Sequence, residues 1–207
     1  MQNGTSHEVA MIDPKNAAML LIDHQSGLFQ TIRDIPKTEL RRNVSALAKA
    51  AELANLPLLT TASMPDGPNG PLIPEVSKDA PWARYIPRPG QINAWDCEDF
   101  VKAVAEMGKK QLIIAGTTTS VCMALPSLSA RKAGYEVFAV IDASGTYSKE
   151  AANITIARMI QAGIVPVDTS VVLAELQKTW HRDDAQKWGE LFCMVMPGYE
   201  LLIECHK

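Results

Sequence analysis

Five short apolar runs punctuate the chain: AAMLLID (17–23), PLLTTA (57–62), QLIIAG (111–116), EVFAVIDAS (136–144) and IVPVDTSVV (164–172). Each is nearly continuous rather than alternating. That pattern predicts strands buried on both faces, as in a parallel sheet covered on each side. Helical spacing fills the intervals. Leu40, Val44, Leu47, Ala48 and Ala51 share one helix face, and Phe100, Val101, Val104 and Met107 share another, ending at Gly108. Val121, Leu125 and Leu128 mark a third helix that stops near Gly134. Ile154, Ile156, Met159 and Ile160 mark a fourth that stops near Gly163.

This alternation predicts a three-layer αβα fold of the α/β class, a doubly wound, mainly parallel sheet with helices on both faces. The stretch 63–95 breaks the rhythm with seven prolines and three glycines. It reads as a long ordered loop around one short strand near Tyr85–Arg88, and long ordered loops are usually functional. Residues 1–15 read as a loose leader, and no repeat or linker divides the 207 residues, so one domain over 1–207 is expected.

Composition narrows the function. Apolar residues make up 47% and charged residues 21%, with a net charge of −3, a globular balance that offers no nucleic-acid surface. The basic pairs Arg41-Arg42 and Lys109-Lys110 are isolated. The polar start MQNGTSHEVA lacks the apolar core of a signal peptide, and no run reaches membrane-spanning length. A cytoplasmic protein acting on a small molecule, without nucleic-acid or membrane partners, is expected. Its four cysteines would there be thiols, and their spacing matches no zinc pattern.

Ligands of open parallel sheets bind beyond the carboxyl ends of strands. Asp23, Arg88 and Cys122 meet that condition. Cys122 follows GTTTS at the start of a helix that Thr119 or Ser120 could cap. A helix N-terminus and a nearby cation both favour a thiolate. Equally, Cys122 could be a small buried hydrophobe, and Asp23 a loop-capping acid. Cys97 lies between Asp96 and Glu98, whose charges oppose ionisation; Cys193 and Cys205 read as structural or incidental. His24 alternates away from Asp23 and reads as structural, which leaves no Cys–His pair. No Gly-x-Gly-x-x-Gly follows the first strand, which speaks against a nucleotide-binding oxidoreductase.

Taken together, LLIDHQ (20–25), RPGQINAW (88–95) and IIAGTTTSVC (113–122) resemble the isochorismatase-like cysteine hydrolases, closest to the YcaC-like branch, from about Ala17 to the C-terminal tail. The resemblance implies a hydrolase cleaving a C–N bond of a small amide-like molecule through a thioester on Cys122, with Asp23 as base. It implies a cis peptide at Thr117-Thr118 and an oxyanion hole formed by the N–H groups of Thr118 and Cys122. Gln25, Leu28, Phe29, Asn93 and Trp95 become candidate substrate-binding residues, Gln25 at a position that props the acid and the others flanking the motifs. Trp95 could equally be a core aromatic.

Three departures modify the expectation. Arg88 stands where the amidases carry a lysine, and a guanidinium stays charged, so Arg88 serves as an electrostatic clamp rather than a proton relay. Ser120 stands where many relatives carry an acid. The segment TTASMPDGPNGP (60–71) has no histidine, unlike the metal-binding members, so neither metal nor other cofactor is expected. The branch also implies a homo-oligomer, an octamer, and the apolar tail 188–207 fits buried surface. The alternative reading is a catalytically degenerate binding or assembly protein on the same fold.

Overall fold

A computed structural model describes residues 10–205; residues 1–9, most of the expected leader, and 206–207 lie outside them. Six parallel strands form one sheet in the order β3-β2-β1-β4-β5-β6. They are β1 (Ala17–Ile22), β2 (Leu58–Ser63), β3 (Arg84–Arg88), β4 (Gln111–Gly116), β5 (Glu136–Val140) and β6 (Val165–Val167). Every residue of β1, β2 and β4 is buried, as their unbroken apolar runs demand.

Strand alternation sends the two sets of β1 side chains into separate cores. Ala17, Met19 and Leu21 join the layer built from α1 (Lys37–Leu53), α2 (Pro74–Asp79), α6 (Thr169–Gln177) and α7 (Ala185–Val195). Ala18, Leu20 and Ile22 join Cys122 in the layer of α3 (Glu98–Glu106), α4 (Ala124–Lys132) and α5 (Lys149–Gln161). On α1 the predicted face, Leu40 through Ala51, is the buried one. Gly108, Gly134 and Gly163 follow α3, α4 and α5 with left-handed φ, as predicted for helix stops.

Local polar chemistry redraws several boundaries. The run 136–144 is strand only to Val140, because the Asp142 carboxylate accepts from Thr169 N and Oγ1, both at 2.8 Å, and folds the chain toward α6. The run 164–172 is strand only to Val167. Asp168 caps α6 by accepting from Val171 N at 2.8 Å, so 169–172 is helix. Within 63–95 the expected loop contains α2, with Pro74 in its first turn. Ile154 and Ile160 of α5 face outward, 64% and 54% exposed, while Ile156 packs on the core half-buried and Ala151, Ala152, Thr155 and Met159 form the buried side. Alanine lets that helix lie close to its neighbours; branched residues would hold it off. A last helix, α8 (Tyr199–Glu204), buries no residue. Among the described residues no helix is long and apolar enough to cross a membrane.

The chain runs outward from β1 through β2 to β3, then returns to place β4 on the other side of β1. The crevice beyond the carboxyl ends of β1 and β4 is therefore the switch point of the sheet.

Candidate active site

Asp23, the residue after β1, is 1% exposed and has a left-handed φ of 56°, a conformation that Asp tolerates better than most side chains. Its N–H donates to Thr61 O at 2.9 Å, which ties the bend to β2. Arg88 ends β3, two strands away, and its side chain reaches across the end of β2. Its Nη2 donates to Asp23 Oδ1, its Nε to Thr61 Oγ1 at 3.0 Å, and its Nη1 to Gln91 O at 2.6 Å. Thr61 Oγ1 in turn donates to Ile86 O at 2.6 Å. The ion pair is buried on both sides. Sequence reading missed Thr61; the threonine pair inside a buried strand was the available signal.

Cys122 lies in a single π-helical turn, Thr119–Met123, that leads into α4. The Thr117–Thr118 peptide is cis. Val121 N and Met123 N both donate to Thr118 O at 3.2 Å, and the Thr118 N–H faces the Cys122 sulfur. Neither Thr119 nor Ser120 caps the turn; Ser120 Oγ bonds Thr146 Oγ1 at 3.1 Å, and Thr118 occupies the cap position without a side-chain bond. Gly116 makes the close packing possible. A Cβ there would lie 2.9 Å from Ile22 O and 3.3 Å from Cys122 C.

The thiol lies beside the Asp23 carboxylate, whose Oδ2 has no other partner of good geometry among the described residues. Burial pushes the Cys122 thiol up, and the charge of Asp23 pushes it further; the Thr118 N–H and Arg88 pull weakly the other way. Burial also raises Asp23, against the pull of Arg88. Burial and the facing carboxylate thus both work against the expected resting thiolate. The guanidinium that was to stabilise the thiolate is already neutralised by Asp23.

This constellation of acid, guanidinium and thiol stands at the switch point, and residues 17–171 match the Isochorismatase domain family. The chain belongs to the isochorismatase family. It is 47% identical to the Escherichia coli protein described as probable hydrolase YcaC, over 93% of this chain and 92% of that one. The E. coli YcaC structure, described as an octameric hydrolase of unknown specificity, superposes with a TM-score of 0.91 over 95% of this chain and 96% of that one. A Pseudomonas aeruginosa YcaC structure with hexane-2,5-diol and covalent acrylamide superposes with a TM-score of 0.93 at 47% identity, over 97% of this chain and 99% of that one.

Within this isochorismatase-family site the remaining candidates divide. Leu28 and Trp95 are half-buried and pack on the layer that holds Cys122; Trp95 sits edge-on to Phe100 and Tyr135 at 6.0 and 5.9 Å. Asn93 is engaged locally, donating to Ser129 Oγ at 3.0 Å and accepting from Trp95 N at 3.1 Å. Phe29 is 4% exposed in the opposite layer, so it does not wall the cysteine's side of the sheet. Gln25 is fully buried and its amide bonds Ser63 N, Ser63 O and Gly70 O, so it braces the proline-rich loop and offers a substrate no free donor. A hollow of about 480 Å³ between Met64–Gly67 and Pro87–Pro89 has Arg88 in its wall. Among the described residues no group of three His, Cys, Asp or Glu is arranged to hold a metal ion.

His24 is wholly buried, with Nε2 against Ala143 O at 2.9 Å, and burial lowers its pKa from 6.5 to about 4. As pH falls below 6.5 the unfolded chain takes up a proton that the folded chain refuses, so stability present at neutral pH is lost through that window. Between pH 7.5 and 4.5 the protein is expected to lose about 2–3 kcal/mol more than His24→Gln, measured by urea unfolding. Identical pH dependence in the two proteins would contradict the neutral, buried histidine.

Proposed function

We propose that this isochorismatase-family protein is a cysteine hydrolase that cleaves the C–N bond of a small amide-like molecule through a thioester on Cys122. The observation that carries the reading is the Asp23 carboxylate facing the Cys122 thiol, locked in place by Arg88. Asp23 takes the thiol proton as sulfur attacks the carbonyl carbon, and the Thr118 and Cys122 N–H groups receive the oxyanion. Asp23 then gives the proton to the departing nitrogen as the C–N bond breaks. Water, deprotonated by Asp23, attacks the thioester; the C–S bond breaks and sulfur regains its proton. Arg88 keeps its charge throughout and holds Asp23 in line. Leu28 and Trp95 flank the substrate. A raised thiol suits this route, because the thiolate forms only as the substrate arrives.

The relatives support the reading as far as hydrolase: the E. coli YcaC structure is described as an octameric hydrolase of unknown specificity, and the P. aeruginosa YcaC structure holds covalent acrylamide. We further read the chain as one cytoplasmic domain assembling as an octamer, which light scattering would register. The test of the chemistry is acyl capture. The protein is mixed with a panel of small amides and nitriles, quenched in acid and digested. An acyl mass on the peptide containing Cys122 is expected; adducts only on Cys97, Cys193 or Cys205, or none, would overturn the assignment.

A further inference from the structure

Among the described residues the cation of the site is Arg88, which is walled off from solvent with four of its five N–H donors engaged. The Arg88 side chain is 0% exposed, and its N–H groups go to Asp23, Thr61 Oγ1, Gln91 O and, at 3.5 Å, Ile92 O. An Arg recognises a carboxylate by presenting a free, planar fork of donors. Here one arm of that fork, Nη2, already meets a carboxylate of the protein itself, and Nε and Nη1 are spent on Thr61, Gln91 and Ile92. To bind a substrate anion, Arg88 would have to release Asp23 and leave it charged, buried and without its cation.

The surroundings do not make up the deficit. Leu28, Trp95 and Val121, the side chains packed on the cysteine's layer at this edge, are apolar. Asp66 lines the hollow that has Arg88 in its wall, and Asp96, Glu98 and Asp99 line the hollow on the other side of the Pro87–Gln91 segment. Arg33 is on the same edge, but its Nη1 is held by Gln30 O and Ile32 O, both at 2.7 Å. Lys37 and Lys149 begin α1 and α5 farther along it. Asp23 itself adds a negative charge beside the attacking sulfur. A carboxylate near the scissile carbon would meet repulsion, and among the described residues only the Thr118 and Cys122 N–H groups, which serve the oxyanion, stand against it.

We infer that the site takes uncharged small amides and rejects molecules that carry a carboxylate next to the reacting carbon. This rests on Cys122 as nucleophile and names the substrate class. A matched pair of alkylating agents tests it on the assembled protein. Iodoacetamide and iodoacetate both form an S–CH2 bond and expel iodide while Asp23 takes the thiol proton; they differ in charge at the group beside the reacting carbon. The rate at Cys122 is followed by peptide mass, and the iodoacetamide-to-iodoacetate ratio is compared with that of 2-mercaptoethanol.

A ratio at least tenfold above that of the free thiol is expected. A ratio equal to that of the free thiol, with brisk labelling by both reagents, would overturn the neutral-substrate inference and leave the nucleophile intact. Labelling of Cys122 by neither reagent, while the exposed Cys205 reacts, would overturn the nucleophile assignment and the inference together.

Discussion

Cys122→Ala is expected to lower turnover of any amide this protein hydrolyses by about 1,000-fold or more. Removing a covalent nucleophile leaves only the oxyanion donors and binding to act on the substrate. The fold should survive. The side chain is 9% exposed and small, so the transfer and cavity costs are those of a single sulfur atom, on the order of 1 kcal/mol. The substitution also removes the conflict between a buried thiol and the adjacent carboxylate, which offsets part of that loss. Urea unfolding should therefore give nearly the wild-type midpoint while steady-state hydrolysis disappears. Turnover that persists unchanged would remove the cysteine from the chemistry. Absence of turnover in both proteins across the amide and nitrile panel would favour the degenerate binding or assembly protein.

The second large effect is at Asp23, where two measurements should move in opposite senses. Asp23→Asn retains the shape and tolerates the φ of 56°, so backbone strain is not a variable. Amide turnover should fall by about 100- to 10,000-fold, because no group remains to take the thiol proton and return it to the departing nitrogen. The thiol should meanwhile become more acidic. The Asp23 charge is one of the causes that raise it, and Arg88, released from its ion pair, would then act on the sulfur alone. The pH midpoint for iodoacetamide labelling of Cys122 is thus expected to shift downward as hydrolysis collapses. Arg88 would be left buried without its counter-charge, a loss of about 3–5 kcal/mol visible in urea unfolding. Hydrolysis within tenfold of wild type, or a labelling midpoint that rises, would contradict Asp23 as the base.

The wild-type rate should depend on pH with a definite sign. Asp23 must be ionised to accept a proton, and burial raises its pKa above that of an ordinary aspartate. Activity should therefore rise with pH through that raised value, so the acid limb lies above the range of an exposed carboxylate.

How much of this was legible beforehand differs from element to element. AAMLLID and QLIIAG read as strands covered on both faces, since a run with no polar side must be buried and each is too short for a helix of ordinary length. The two strand boundaries that moved, after Val140 and Val167, depended on what Asp142 and Asp168 accept. An aspartate after an apolar run can end a loop or cap a helix: Asp168 caps locally through Val171, three residues on, whereas the Asp142 partner Thr169 is chosen in three dimensions. Ile154 and Ile160 of α5, which face outward while Ile156 and Met159 of the same expected stripe meet the core, show that helical periodicity does not settle which side is buried.

For the site, the sequence by itself determined the sheet order's raw material and which acid, guanidinium and thiol stand beyond the carboxyl ends of strands. Those positions follow from local pattern and from motifs, and local pattern is a property of the chain. Only the tertiary structure decided that Arg88 reaches across β2 to Asp23, that Thr61 holds it there, that Phe29 joins the opposite layer, that Gln25 is spent on Ser63 and Gly70, and that burial and Asp23 both oppose ionisation of the thiol. Desolvation and pairing are set by which groups exclude water from one another, and residues 65 positions apart in sequence become partners only when the sheet has formed.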